Sequence, residues 1–392
     1  MLQKLLIANR GEIARRIIHV ARRRGMKTVA VYSDADEKLP FVREADEAVR
    51  IGPAAAKDSY LNAAAILEAA KKTGAEAVHP GYGFLSENAE FATACREAGI
   101  VFVGPPASAM TRMKDKATAR KLAAEAGVPI VPGSDTLPDE KAALEAAEKI
   151  GYPVLLKAAG GGGGIGMQVA RSPDELTKAF RQCTDRAKAA FARDAVYMEK
   201  YFERPRHIEV QILADQHGTT LHVLERECSI QRRHQKVVEE AGSPLFLNGA
   251  GDVAQRMYAA AVKAAEAFGY ANAGTVEFLY QDGNFYFIEM NARLQVEHPV
   301  TELTTGLDLI TWQLRIAEGE KLTLKQDEIR RQGHALELRV YAEDPVKFFP
   351  SPGTIGTYRE PAGEGVRVDA GYEGGSTVTP YYDPMIAKLI VS

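Results

Sequence analysis

The chain of 392 residues sets 49 Lys and Arg against 52 Asp and Glu, a formal net charge of −3, with 46% hydrophobic and 26% charged residues. That balance gives no reason to expect nucleic acid or a membrane as a bulk partner, and the length exceeds one compact core, so two or three domains are expected. Three cysteines, Cys95, Cys183 and Cys228, stand far apart with no CxxC pair or zinc-finger histidines, which argues against a disulfide framework or structural zinc and for free thiols in a reducing compartment.

Residues 5–8 (LLIA) read as a buried strand, Glu12 to Arg24 as a helix, Thr28 to Tyr32 as a strand and Ser59 to Thr73 as a second helix. Residues 77–79 and Ile100 to Val103 complete the alternation, which implies right-handed βαβ units and a parallel sheet. A strand and glycine turn so close to Met1 leave no room for a signal peptide, and no run of about 18 apolar residues appears. The expectation is a soluble intracellular protein, cytoplasmic or, after loss of a transit peptide, of the mitochondrial matrix.

After the break at Gly104-Pro105-Pro106, Ser108 to Ala126 reads as one Ala/Lys-rich helix, stopped by Gly127-Val128-Pro129. Short strands near 153–157 and 167–169 flank a glycine run. From about Arg204 longer alternating strands follow at 207–213, 219–227, 275–280 and 285–291, a pattern that predicts a largely antiparallel sheet. No internal repeat or low-complexity tail is evident.

The glycine run, Gly160 to Gly164 followed by Ile165-Gly166-Met167, is backbone that can approach phosphate oxygens closely and offer several N–H donors. A flexible linker is the bland alternative, but linkers are usually mixed with Ser and lie between domains, whereas this run joins two strand-like segments. No helix follows, as a dinucleotide fingerprint needs, and no GK[ST], as a Walker A loop needs. A hairpin-tip lid over phosphates is the expectation.

Glu277 and Glu289 lie in two apolar strands joined by Gln281-Asp282-Gly283-Asn284. Carboxylates there are costly unless compensated, and Mg²⁺ held by carboxylates and substrate phosphates is one compensation. A two-residue Asp282-Gly283 turn would put the two glutamates on opposite faces. A three-residue loop with Asn284 left-handed would set them opposite each other, with Asn291 on the same face, and this is the register expected here. A solvent-facing glutamate remains the other reading.

The run from Asn291 to Glu302 is dense in charge directly after that strand, and a guanidinium there could hold a bicarbonate-sized anion beside a carboxylate acting as base. A second basic segment, residues 231–240 (QRRHQKVVEE), could add cations to the same pocket or be a solvated surface.

Together with ANRGEIA (8–14), HPGYGFLSE (79–87), Gly104-Pro105-Pro106, MKDK (113–116), PRHIE (205–209), FIEMNARLQVEHPVTE (287–302), ELRVYAED (337–344) and YYDPM (381–385), these segments resemble the biotin carboxylase family of ATP-grasp enzymes, in the family's order. The resemblance implies a mixed α/β and α+β fold. An N-terminal doubly wound parallel sheet would occupy 1–103, a helical linker 104–130, a glycine-rich lid subdomain 131–203, and a largely antiparallel C-terminal domain 204–392. The chain would stop before the unit that completes that last domain.

The resemblance also implies roles. Lys116 and Lys157 would neutralise ATP phosphates, under a lid carrying Gly162, Gly163, Gly164, Gly166 and Met167. Glu199 and Lys200 match the adenine hinge, and His207, Gln231 and His234 the nucleotide pocket. Glu277, Glu289 and Asn291 match ligands to Mg²⁺ or Mn²⁺, two ions in all. Lys236, Arg293, Gln295, Val296 and Glu297 match the bicarbonate site, with Glu297 as base, and Arg339 would stabilise the enolate-like form of biotin. Ile165 departs from the pattern, which has Arg or Lys in the lid. No Ala-Met-Lys-Met attachment site is present, so biotin would ride on a separate carrier domain or chain, with a carboxyltransferase component as further partner, in a homo-oligomer or larger complex. The final carboxyl acceptor is not legible. Another ATP-grasp ligase that makes a carboxylate or carbamate product is the enzymatic alternative, and a nucleotide-binding scaffold the non-enzymatic one.

Overall fold

The computed structural model describes residues 1–158, 167–191, 196–233 and 235–392. The glycine run, including Gly162, Gly163, Gly164, Ile165 and Gly166, and His234 lie outside the described residues. Two compact units emerge, one of residues 1–128, 206–278 and 289–392, the other of 129–205 and 279–288.

The larger unit begins with five parallel strands, β1 (Lys4–Ile7), β2 (Lys27–Ser33), β3 (Glu47–Gly52), β4 (Ala77–His79) and β5 (Val101–Phe102), in the order β3-β2-β1-β4-β5. The unbroken apolar run of β1 has a simple cause. Leu5 and Ile7 pack with Ile13, Ile17 and Ile18 of α1 (Gly11–Arg23), while Leu6 and Ala8 join Ile66 and Phe91 in a second cluster. Both faces are covered, as a parallel sheet requires. α2 (Pro40–Glu44), α3 (Ala63–Thr73) and α4 (Ala89–Glu97) complete this part. The second predicted helix starts at Ala63, not Ser59, because Asn62 caps it, accepting from Ala65 N at 3.1 Å.

The single helix expected over Ser108 to Ala126 is two, α5 (Ala107–Lys114) and α6 (Lys116–Glu125). Asp115 between them is extended (φ −84°, ψ 106°) and its carboxylate accepts from Thr118 N at 3.1 Å, so it acts as an N-cap inside a stretch of high helix propensity.

In the smaller unit, α7 (Glu140–Ile150) and α8 (Pro173–Phe191) accompany an antiparallel sheet of β6 (Val154–Ala158), β7 (Gln168–Ala170) and β8 (Val196–Lys200), ordered β7-β6-β8.

The remaining strands are β9 (Arg206–Ala214), β10 (Thr220–Arg232), β11 (Gln235–Ala241), β12 (Asn272–Gln281), β13 (Asn284–Asn291), β14 (Ala335–Tyr341), β15 (Gly353–Thr354), β16 (Val366–Ala370), β17 (Thr377–Val378) and β18 (Met385–Val391). Eight of them form one sheet, β13-β12-β9-β10-β11-β14-β18-β16, antiparallel from β9 through β16. β15 and β17 pair separately. α9 (Pro244–Leu247) and α10 (Gly251–Phe268) follow β11. α11 (His298–Thr305) packs on β10, β11 and β14, and α12 (Leu309–Ala317) comes next. No helix among the described residues is long and apolar enough to cross a membrane.

The β12–β13 connection corrects the expected loop. Asp282 (φ 51°) and Gly283 (φ 82°) are both left-handed and Asn284 already belongs to β13. The loop is the two-residue turn whose twist matches that of the strands it joins, and Asp-Gly is the pair that turn favours.

β14 inverts the usual alternation. Ala335 and Glu337 are wholly buried and Arg339 nearly so, while Leu336, Leu338 and Val340 are exposed. Charge faces inward here because α11 and the inner faces of β9, β10 and β11 enclose a polar interior.

Candidate active site

That interior is organised around two cations. Arg226 of β10 is fully buried, and all of its partners are side chains. Its Nε donates to Glu209, its Nη1 to Gln211 at 2.7 Å and Thr301 at 3.0 Å, and its Nη2 to Thr275 at 3.1 Å and Gln295. A guanidinium without water is tolerable only with such complete satisfaction. Lys236 of β11 donates to three carboxylates, Glu209, Glu277 at 2.9 Å and Glu297 at 2.8 Å. Strands β9 and β12 and the start of α11 thus converge on one ammonium of β11.

Glu297, the N-cap of α11, lies between Lys236 and Arg339, whose Nη2 reaches its second oxygen at 3.0 Å. Burial works against its ionisation, but Lys236, Arg339 and Arg226 outweigh it and hold the carboxyl well below the usual carboxylate range. Glu277 is likewise buried and held low, by Lys236 and His207, whose Nε2 is 3.0 Å from it. Gln295 at 2.8 Å and Asn291 at 3.0 Å donate to the same Glu277 oxygen. Burial lowers the His207 pKa, but the Glu277 charge prevails and raises it.

Asn291 accepts from Arg293 at 2.9 Å, and Arg293 also reaches Glu87 at 3.2 Å, while Glu87 takes Ala292 N at 2.8 Å. Val296 contributes its carbonyl, which accepts from buried Lys388 at 2.8 Å. The sequence-predicted group Lys236, Glu277, Asn291, Arg293, Gln295, Val296, Glu297 and Arg339 is therefore brought together.

Most of the remaining predicted residues have partners of their own. Glu289 is exposed and 3.4 Å from the still more exposed Lys116, and Gln231 donates to the Cys228 carbonyl at 2.8 Å. Within the smaller unit, Lys157 is paired with Glu199, and Lys200 donates to the carbonyls of Gly151 at 2.9 Å and Tyr152 at 2.8 Å. Met167 is half-buried just before β7.

As for a metal, Glu277 and Glu209 offer carboxylate oxygens and His207 a ring nitrogen within reach of one another, a set that a divalent ion can use, and Glu277 is ionised. Its oxygens already accept from Lys236, Gln295 and Asn291 and face His207. To ligate an ion it must release one of these.

Glu209, Arg226, Glu239 and Glu87 are central to this geometry without having been assigned roles from sequence. For Glu209, Arg226 and Glu239 the available signal was charge inside strands, while Glu87 lies in the turn ahead of α4.

Three family models match in sequence: biotin carboxylase, N-terminal domain, over residues 1–110; carbamoyl-phosphate synthase L chain, ATP binding domain, over 115–325; and biotin carboxylase C-terminal domain over 337–392. Biotin carboxylase 2 of Bacillus subtilis is 55% identical, the match covering 100% of this chain and 88% of the relative. The chain belongs to the biotin carboxylase family. The biotin carboxylase–β-γ-ATP complex from Campylobacter jejuni superimposes with a TM-score of 0.91 at 46% identity, covering 100% of this chain and 87% of that one. The biotin carboxylase domain dimer of Hydrogenobacter thermophilus 2-oxoglutarate carboxylase, solved with MgADP, ADP and bicarbonate, gives 0.89 at 49%, covering 100% and 86%. The fold is thus the ATP-grasp fold of biotin carboxylases, with its N-terminal parallel sheet and large antiparallel C-terminal sheet.

Proposed function

We propose that the protein carboxylates biotin, spending ATP to activate bicarbonate, as the first half-reaction of a biotin-dependent carboxylase. The observation that carries this reading is Glu297 buried between Lys236 and Arg339, beside Arg293, Gln295 and the Val296 carbonyl. An anion of bicarbonate size meets cations there and a carboxylate able to take its proton.

Glu297 as found is a weak base, because its two cations stabilise the charge. A bound anion competes for Lys236, and each contact it takes from that ammonium raises the proton affinity of Glu297. Deprotonated bicarbonate then attacks the terminal phosphorus of ATP, giving carboxyphosphate and ADP; carboxyphosphate breaks into CO₂ and phosphate, and the biotin ureido nitrogen, its proton passing to that phosphate, attacks the CO₂. Arg339 balances the negative charge that biotin acquires.

Glu277, Glu289 and Asn291 would hold Mg²⁺, two ions in all, which would offset charge on the phosphates. Lys116, Lys157 and the glycine run, from Gly162 to Met167, would contact those phosphates. Glu199, Lys200, His207, Gln231 and His234 would line the nucleotide site. The biotin would arrive on a carrier domain or chain, with a carboxyltransferase component completing a cytoplasmic complex.

The test is ATP cleavage. It should require bicarbonate and be stimulated by free biotin, and not by ammonia or amino acids. Stimulation by an amine in place of biotin would move the protein to another class of ATP-grasp ligase.

A further inference from the structure

Beyond Arg339 the charged interior continues into a feature the reaction does not use. Glu239 of β11 and Glu337 of β14 stand directly opposite each other on adjacent antiparallel strands, and both are wholly buried. Side chains so placed have Cβ atoms about 4.5–5.5 Å apart. One oxygen of Glu239 accepts from Arg339 Nε at 2.6 Å. Its other oxygen, and both oxygens of Glu337, have no hydrogen-bond partner among the described residues.

Three buried carboxyl oxygens without donors would cost several kcal/mol if both groups were ionised, and the charges would repel as well. The surrounding charges do not cancel this. Facing the pair are Arg339 on β14, Lys388 on β18, Glu297 at the start of α11 and Glu209 on β9. Arg339 is shared with Glu297, and Lys388 is engaged by Glu12 at 3.2 Å and by the Val296 carbonyl at 2.8 Å.

We propose that Glu239 and Glu337 share one proton across the β11–β14 rung, carried by Glu337, and that this singly charged pair is a positioning element for Arg339. A protonated Glu337 donates to the free oxygen of Glu239, which leaves Glu239 anionic toward Arg339. The guanidinium is then fixed at Nε by Glu239, with Nη2 left to face Glu297 and the substrate. Burial pushes both groups the same way, Glu239 up to about 7 against the pull of Arg339, and Glu337 well above its ordinary value.

The positioning role rests on the function proposed above; the shared proton does not. Infrared spectroscopy of the whole chain near neutral pH should show the carbonyl stretch of a buried protonated carboxyl. Glu337→Gln should remove it. Glu239→Gln should remove it as well, because Glu337, freed of its anionic neighbour and next to Arg339 and Lys388, would then ionise. For the positioning role, Glu337→Leu takes away the donor, and kcat for biotin-stimulated ATP cleavage should fall about tenfold with KM for ATP little changed. Glu337→Gln restores an N–H donor at the same place and should recover most of that loss. If the wild type has no protonated carboxyl band, or if the Leu and Gln variants are equally impaired, the proposal is overturned. A band lost in both Gln variants of a protein without biotin-stimulated turnover would uphold the shared proton and defeat the assigned reaction. Should Glu337→Leu fail to fold, the band in the wild type and its loss in Glu337→Gln decide the matter.

Discussion

Lys236 and Arg226 between them gather Glu209, Gln211 and Gln295 about Glu277 and Glu297, and this crowding sets what each carboxylate can do. Glu297 is ionised and wholly enclosed, so its usefulness depends on a substrate that loosens its cations. Glu297→Gln keeps the shape and removes the base. Biotin carboxylation should fall by about 10²–10⁴, while KM for ATP stays near the wild-type value. Wild-type carboxylation rates in that variant would remove Glu297 from the mechanism. These residues were legible in the sequence because Arg293, Gln295 and Glu297 sit together in one short polar run, and Lys236 in another. Arg226 and Glu239 were not. Consecutive charged residues, as in Glu225-Arg226-Glu227 of β10, read as a solvated stretch, and only cover on both faces, Thr301 of α11 meeting Arg226 and Tyr258 of α10 meeting Glu225, makes it an interior. Leu336 and Leu338 mislead in the opposite sense, since apolar alternation in β14 points outward.

At the scale of elements, the N-terminal sheet followed from its continuous apolar strands, and the antiparallel sheet from long alternating ones. The β12–β13 turn did not follow, because the expected loop was chosen to bring Glu277 opposite Glu289, whereas the backbone obeys the preference of Asp282-Gly283. Asn291 still reaches Glu277 at 3.0 Å, so hairpin and site are joined at that residue. Gly283 tests the turn directly. Its φ is 82°, yet a Cβ added there meets nothing within 4 Å, so the cost of Gly283→Ala is purely one of backbone conformation. The variant should lose about 1–2 kcal/mol, read from its denaturant midpoint, and Gly283→Asn distinctly less. Equal stability of Ala and Gly at this position would mean that the turn is not left-handed there. The cap at Asp115 escaped the sequence reading for a related reason, since the helix propensity of its neighbours hides a one-residue break that a single carboxylate stabilises.

For the whole molecule, buried ionisable groups pull stability in opposite directions with pH. His79 is fully buried, with Nδ1 accepting from Gly81 N at 3.0 Å and Nε2 at 3.2 Å from Gln313. Burial, only partly offset by the Gln313 contact, pushes its pKa down to about 4. His222, lowered to about 4 by burial, and His298, lowered further by burial and nearby cations, behave alike. Each contributes stability above the unfolded histidine pKa of about 6.5 and loses it as pH falls toward the folded value, because the unfolded chain takes up the proton first. Glu239, raised to about 7, and Glu337 act in reverse over an overlapping range, since they bind protons more tightly when folded. The slope of the total curve is therefore a difference and identifies no single group. A comparison at His79 does. His79→Gln supplies a neutral acceptor and donor, so it should carry some cost near neutral pH, and that cost should shrink by about 2–3 kcal/mol between about pH 7.5 and pH 4.5, as the wild type alone loses the histidine contribution. Unfolding curves of the two proteins at both pH values measure it. A gap that stays constant would show that His79 is protonated in the fold, which its contact with the Gly81 N–H forbids.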